Sequence, residues 1–183
     1  AIILIPLVLL AIYLLPQHLF EIALGIIMLA CAWEWTNLMQ VHSLIEKTIY
    51  LCLIALLCYA VTWIAMGYFL YIMMLAMLAA IVMMHRYQQT QKPSDISEVY
   101  GYLMGTALFV TCWYSINIIR FKVGGSHQLL ILLLLVWLTD TAAYFCGKHF
   151  GTTALAPNIS PAKTWQGVKG AAGAVLLFTI IEG

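Results

Sequence analysis

The 183-residue sequence predicts an all-α, polytopic transmembrane helix bundle of about six to seven spans. Three observations carry that prediction. Hydrophobic residues make up 64% of the chain and charged residues 8%, against roughly 25% charged in an ordinary soluble domain, so a water-facing surface could not be covered. The apolar residues form long uninterrupted runs rather than one-sided helical stripes, which makes lipid the solvent. The runs do not alternate, as the strands of a membrane barrel would have to.

A bilayer core takes about 20 apolar residues as helix, and the runs follow in order. The first, Ala1 to Leu15, is short, and Pro16-Gln17-His18 turns into a second run from Leu19 to Trp33. Glu34 to Lys47 reads as the first polar loop and Thr48 to Ala65 as the third span. Met66-Gly67 makes a tight turn into a fourth, Tyr68 to Met84, and the most hydrophilic stretch follows from His85 to Tyr100. A fifth span runs from Gly101 to Ile119, and a short loop with Gly124 and Gly125 covers Arg120 to His127. The sixth occupies Gln128 to Gly147, Lys148 to Pro161 is a polar loop, and Gly170 to Ile181 begins a seventh. The polar chemistry therefore falls in 128–183, after a set of N-terminal spans, 1–127. The opening AIILIPLVLL has neither a methionine nor a basic n-region, so it is not a complete signal peptide. Together with the TIIEG end, it reads as a cut terminus.

If the spans alternate, the 34–47, 85–100 and 148–169 loops share one side. They hold Lys47, Arg86, Lys92, Lys148, Lys163 and Lys169, against Arg120 and Lys122 opposite. The positive-inside rule then puts the first side in the cytoplasm. Nothing points to nucleic acid: the net charge is +1, and no basic patch is interleaved with aromatics. Cys31, Cys52, Cys58, Cys112 and Cys146 lie in or beside apolar runs without C-x-x-C spacing and read as small packing residues.

Two features carry chemistry. Asp140 sits seven residues before the end of the sixth predicted span, about 10 Å inside it at 1.5 Å per residue. A carboxylate at such depth costs several kcal/mol unless it meets a polar cavity or a partner. Ala143, Tyr144, Gly147 and Lys148 follow on the same helix face. The competing reading is a carboxylate paired to another helix for assembly alone. The second feature is NISPAKTWQG, Asn158 to Gly167. Ser160 suits an N-cap and Pro161 the first helical position, which places Lys163 and Thr164 in the first turn. Free N–H groups and the helix dipole favour phosphate there. A plain capped helix whose lysine snorkels to the headgroups fits equally well. Gly167, Gly170 and Gly173 leave a small-residue stripe for close packing. Glu21, Glu34, His85 and His127 read as interfacial residues.

The run WLTDTAAYFCGKHFGTTALAPNISPAKTWQG is similar to the central region of bacterial phosphatidate cytidylyltransferases, the CDP-diacylglycerol synthases. The likeness rests on Asp140, Ala143, Tyr144, Gly147, Lys148, the Leu155-Ala156-Pro157 triplet, Ser160, Pro161, Lys163, Thr164, Trp165, Gln166 and Gly167, with an early AWEW at Ala32–Trp35. It implies transfer of CMP from CTP to phosphatidate, giving CDP-diacylglycerol and pyrophosphate, in the bacterial inner membrane. It makes 128–183 the start of the catalytic region. By the same resemblance Asp140 and Lys163 are catalytic, and Ser160, Lys163, Thr164 and Gln166 hold nucleotide phosphates. Tyr144 and Lys148 contact the lipid headgroup or support those that do. The family's aspartate- and glycine-rich signature has no counterpart in these residues, so the resemblance implies Mg²⁺ with ligands outside them. Thr141 and Ala142 stand where serine and glycine are common. CTP, phosphatidate and bilayer lipid are the implied partners, and a homodimer is left open. Other readings are a polyprenol kinase or another CTP-using lipid enzyme, a non-catalytic paralogue, and a transporter using Asp140 as an ion site. A transporter predicts a broken helix or a second deep acid in an inverted repeat, and the sequence has neither.

Overall fold

The computed structural model describes residues 4–63, 71, 73–75, 77–79, 81–82, 97–157 and 160–182. The predicted fourth span, 68–84, is described only in part, and most of the hydrophilic stretch after it, His85 included, lies outside the described residues. The described elements are six helices and a small hairpin. In chain order they are α1 (Leu4–Leu14), α2 (Gln17–Leu38), α3 (Leu44–Val61), α4 (Ser97–Phe121), α5 (Gly125–Phe150), β1 (Ala154–Ala156), β2 (Ser160–Thr164) and α6 (Trp165–Glu182). The fold is the expected helical membrane bundle. Among the described residues four helices are long and apolar enough to cross a bilayer: α2, α3, the Val99–Phe121 part of α4, and α5. The chain is a multi-pass membrane protein.

Its residues group into two compact units, 1–87 with 92–126, and 88–91 with 127–183. In the first, α2, α3 and α4 pack on one another. Lipid tails are as apolar as leucine, so the association of these helices depends on close contact and interhelical hydrogen bonds. Phe20, Leu24, Met28, Ala32 and Thr36 recur every fourth residue as the buried seam of α2. Tyr50, Ile54, Cys58 and Val61, three or four residues apart, form the seam of α3, and α4 contributes Phe109, Val110, Trp113 and Tyr114. Side-chain donors then fix the register against α4. Trp35 Nε1 donates to the Gly101 carbonyl at 3.0 Å, Tyr50 Oη to the Tyr102 carbonyl at 3.3 Å, and Trp113 Nε1 to the Glu21 carbonyl at 3.1 Å. Gly105 makes this possible, because a Cβ there would lie 2.5 Å from both Trp35 Nε1 and Tyr50 Oη.

The predicted 34–47 and 120–127 loops are shorter in the structure. The stretch from Glu34 to Lys47 is mostly helical, and only Met39–Ser43 separates α2 from α3. Its polar residues bond to one another. Lys47 Nζ donates to Asn37 Oδ1 at 2.5 Å, Asn37 Nδ2 to Glu34 Oε2 at 3.3 Å, and Lys47 lies 5.0 Å from the centre of the Trp33 ring. Ser43 caps α3, accepting from the Glu46 N–H at 3.4 Å. Between α4 and α5 only Lys122–Gly124 is non-helical. Gly124 has φ +74°, and a Cβ on Gly125 would run into the Ile119 carbonyl.

Arg120, one of the two basic residues opposite the positive-inside pattern, is committed to structure. Its Nε donates to the Ile12 carbonyl at 3.1 Å and its Nη2 to the Leu15 carbonyl at 2.5 Å. Ser126 Oγ donates to the same Ile12 carbonyl at 3.1 Å, and the guanidinium lies 4.4 Å from the Phe20 ring centre. The last carbonyls of a helix have no partner within it, and Arg120 supplies one for the end of α1.

Candidate functional site

The second unit contains the residues singled out for chemistry. α5 runs to Phe150, longer than the predicted span, with Lys148 in its last turn, where a cation suits the dipole. Asp140 is therefore ten residues, about 15 Å, from the helix end at 1.5 Å per residue, farther from it than the sequence suggested. Its side chain is exposed along the helix.

The largest departure from expectation follows. Ser160–Thr164 is not a helix start. It is strand β2, paired antiparallel with β1 through Ala154↔Thr164 and Ala156↔Ser160. Ser160 is no N-cap, and Lys163 lies on a strand. The cap is Thr164, whose Oγ1 accepts the Gly167 N–H at 3.2 Å, the third helical residue, as an N-cap should. The residue before a proline is biased to extended conformations, which fits Ser160 in a strand. In a two-stranded ribbon, where both strands are edges, Pro161 is tolerated.

α6 meets α5 through glycine. A Cβ on Gly167 would lie 2.9 Å from the Ala143 carbonyl oxygen and 3.6 Å from Gly147 Cα. One on Gly170 would collide with Cys146 Sγ and stand 2.5 Å from Cys146 Cβ. Gly151 faces the Thr164 methyl at 2.8 Å and Gly147 the Thr164 hydroxyl at 3.1 Å in the same sense. Gly173, the third member of the predicted stripe, has nothing within 4 Å, so the close contact ends at Gly170.

Beside this contact lies a cleft of about 610 Å³ lined by α5, the hairpin and α6, within the 300–1,000 Å³ common for small-molecule sites. Asp140, Ala143, Tyr144, Gly147 and Lys148 all line it, and so do Lys163 and Thr164. Lys148 Nζ stands 5.6 Å from the centre of the Tyr144 ring. The cleft therefore combines one carboxylate, one phenol, two ammonium groups and a hydroxyl with a glycine-lined floor. Two cations suit a polyanionic ligand, and the small residues leave it room.

Ser160 and Gln166 do not line the cleft. Gln166 bonds to the loop before β1 instead: its Nε2 donates to Thr152 Oγ1 at 2.6 Å, and its Oε1 accepts the N–H groups of Thr152 and Thr153 at 3.3 and 3.4 Å. Leu155, part of the motif quoted above, also lines the cleft, as do Ala162, Val168 and Ala171, which carried no signal in the sequence, being apolar residues in an apolar chain. For a metal, Asp140 is the one acid on the cleft, and no group of three His, Cys, Asp or Glu side chains converges among the described residues. Magnesium accepts one or two carboxylates plus substrate phosphates, so Asp140 fits as a single ligand and is not a complete site.

Fold and cleft define a membrane-embedded helical protein with a polar cleft that carries two lysines and one carboxylate. A family model described as the cytidylyltransferase family matches residues 1–182, and the chain belongs to that family. It is 28% identical over 176 residues to the phosphatidate cytidylyltransferase of Pseudomonas aeruginosa, a match covering 93% of this chain and 63% of that protein. It is 44% identical over 57 residues to the enzyme of the same name from Haemophilus influenzae, covering 31% and 20%. With the Aquifex aeolicus protein of that name it shares 40% over 63 residues, covering 34% and 24%. The chain thus spans less than two thirds of the length of these relatives. No solved structure matches it.

Proposed function

We propose that this chain supplies the nucleotide-phosphate cleft of a phosphatidate cytidylyltransferase of the bacterial inner membrane, acting on CTP and phosphatidate. The observation that carries the reading is the convergence of Asp140, Tyr144 and Lys148 from α5 with Lys163 and Thr164 from β2 on one cleft. Relatives bearing that enzyme name support the choice of substrates. In the reaction a phosphate oxygen of phosphatidate attacks the α-phosphorus of CTP. A new P–O bond forms, the bond to the β-phosphate oxygen breaks, and pyrophosphate leaves.

Phosphoryl transfer of this kind is catalysed mainly by positioning and by neutralising phosphate charge. Lys163 takes the triphosphate, with the Thr164 hydroxyl beside it. Lys148, held over Tyr144 at the end of α5, takes the phosphate of the lipid. Asp140 contributes one carboxylate toward Mg²⁺, which when bound offsets charge on the phosphates. The excess of lysine and arginine on the 34–47, 85–100 and 148–169 side supports a cytoplasmic cleft, where CTP is available.

The test is to express the full-length gene product, supply labelled CTP and phosphatidate to its membranes, and follow CDP-diacylglycerol and pyrophosphate. Stoichiometric formation of both is expected. Labelling of a polyprenol, or of no lipid, would overturn the assignment.

A further inference from the structure

We propose that Gln166 is a positioning residue: it clamps the base of the β1–β2 hairpin and so holds Lys163 on the cleft. The inference rests on the function proposed above, and it replaces direct phosphate contact as the role of this side chain. All of the amide's recorded bonding goes to the loop. Oε1 receives two backbone N–H groups, from Thr152 and Thr153, and Nε2 donates to Thr152 Oγ1. One planar group thereby joins the residues entering β1 to the first turn of α6, 13 and 14 positions apart. The Trp165 N–H adds a bond to the Thr153 carbonyl at 3.0 Å, and the Ala154↔Thr164 pair closes the same base.

Lys163 depends on that closure. It is exposed on β2 and has no hydrogen-bond or ion-pair partner of its own among the described residues, so the strand backbone alone aims its ammonium. An isolated two-stranded hairpin is marginally stable at best, and β1 is three residues long with an irregular register between Ala154 and Ala156. The strand is therefore ordered from its base, and Gln166 is the side chain that holds the base shut. Glutamate could keep most of this. Its carboxylate would accept the same two N–H groups, and the Thr152 hydroxyl could turn to donate to the second oxygen. Leucine keeps the volume and loses every bond, and asparagine keeps the chemistry but is one methylene too short.

The experiment uses the full-length protein in membranes, with Gln166→Leu, Gln166→Asn and Gln166→Glu each assayed for kcat and for KM toward CTP and phosphatidate. Misplacing a binding group by about 1 Å can cost on the order of 100-fold. Gln166→Leu and Gln166→Asn are therefore expected to lose about 10- to 100-fold in kcat/KM for CTP, with a raised KM for CTP and an unchanged KM for phosphatidate. Gln166→Glu should stay within about threefold of wild type, because the side-chain oxygen that accepts the two backbone N–H groups survives. A merely structural role would lower the active fraction and leave both KM values alone, and that pattern would overturn the proposal. So would a Glu variant as poor as Leu, or Leu and Asn variants as good as wild type. If Leu does not accumulate, Asn supplies the same comparison. A Lys163→Ala enzyme with normal activity would instead sink the functional reading itself, whatever the Gln166 variants do.

Discussion

Gly170→Ala probes the contact that brings α6 to α5 and so builds the cleft. The new methyl would meet Cys146 Sγ, lie 2.5 Å from Cys146 Cβ, and stand 3.2 Å from the Ala142 carbonyl oxygen. Two carbons in van der Waals contact sit about 3.5–4.0 Å apart, so the helices must separate by roughly 1 Å or distort. Overpacking of this kind costs about 1–3 kcal/mol. Against it stands a helix-propensity gain of about 1 kcal/mol for replacing glycine with alanine. The net expectation is a loss of up to about 2 kcal/mol, against a gain at a site without the clash. Gly173→Ala is the matched control. It lies three residues on in the same helix with nothing within 4 Å, and the propensity gain should leave it neutral or slightly stabilised. Thermal unfolding of the detergent-solubilised protein reads both variants. Cys146→Gly, which removes the opposing Cβ and Sγ together, should restore most of the loss in the Gly170→Ala background. Equal melting temperatures for the Gly170→Ala and Gly173→Ala proteins would refute the close contact, and with it the geometry of the cleft.

Two further perturbations address the first unit. Arg120→Ala removes two charged hydrogen bonds to the end of α1, the Ile12 and Leu15 carbonyls. It should cost about 2 kcal/mol in the same melts, while Lys122→Ala, at the exposed turn, should cost nothing measurable. Gly105→Ala places a methyl 2.5 Å from Trp35 Nε1 and Tyr50 Oη. A loss of about 1–3 kcal/mol, with a change in tryptophan fluorescence as Trp35 is displaced from Gly101, is expected. An unshifted spectrum would show that Trp35 does not sit there.

How far these features could be read from the sequence depended on which force shaped them. The spans were legible because hydropathy alone decides whether a run crosses lipid, and α5 emerges at the predicted place, extended at both ends. The face Asp140, Ala143, Tyr144, Gly147 and Lys148 followed from helical spacing, and the structure sets all five along one cleft. Loop lengths were overestimated where polar residues satisfy each other. Glu34, Asn37 and Lys47 look like loop residues, but two hydrogen bonds let the helices run through them. The hairpin was misread because Ser160-Pro161 and Thr164 are both acceptable helix starts. Pairing with Ala154–Ala156, which no local pattern announces, selects Thr164. The bias of a pre-proline residue toward extended backbone was the one available hint. Arg120 shows the same limit: its charge counted against the orientation until its two carbonyl partners became visible.

The claim on which the rest depends is that Asp140 on α5 and Lys163 on β2 serve one reaction. The decisive measurement compares CTP-dependent CDP-diacylglycerol formation by membranes carrying wild-type, Lys163→Ala or Asp140→Asn full-length protein at equal expression. Each substitution is expected to abolish product while leaving membrane insertion and the melting temperature intact, because each removes charge from the cleft and not from the packing. Near-normal turnover in either variant would contradict the account and take that residue out of the site.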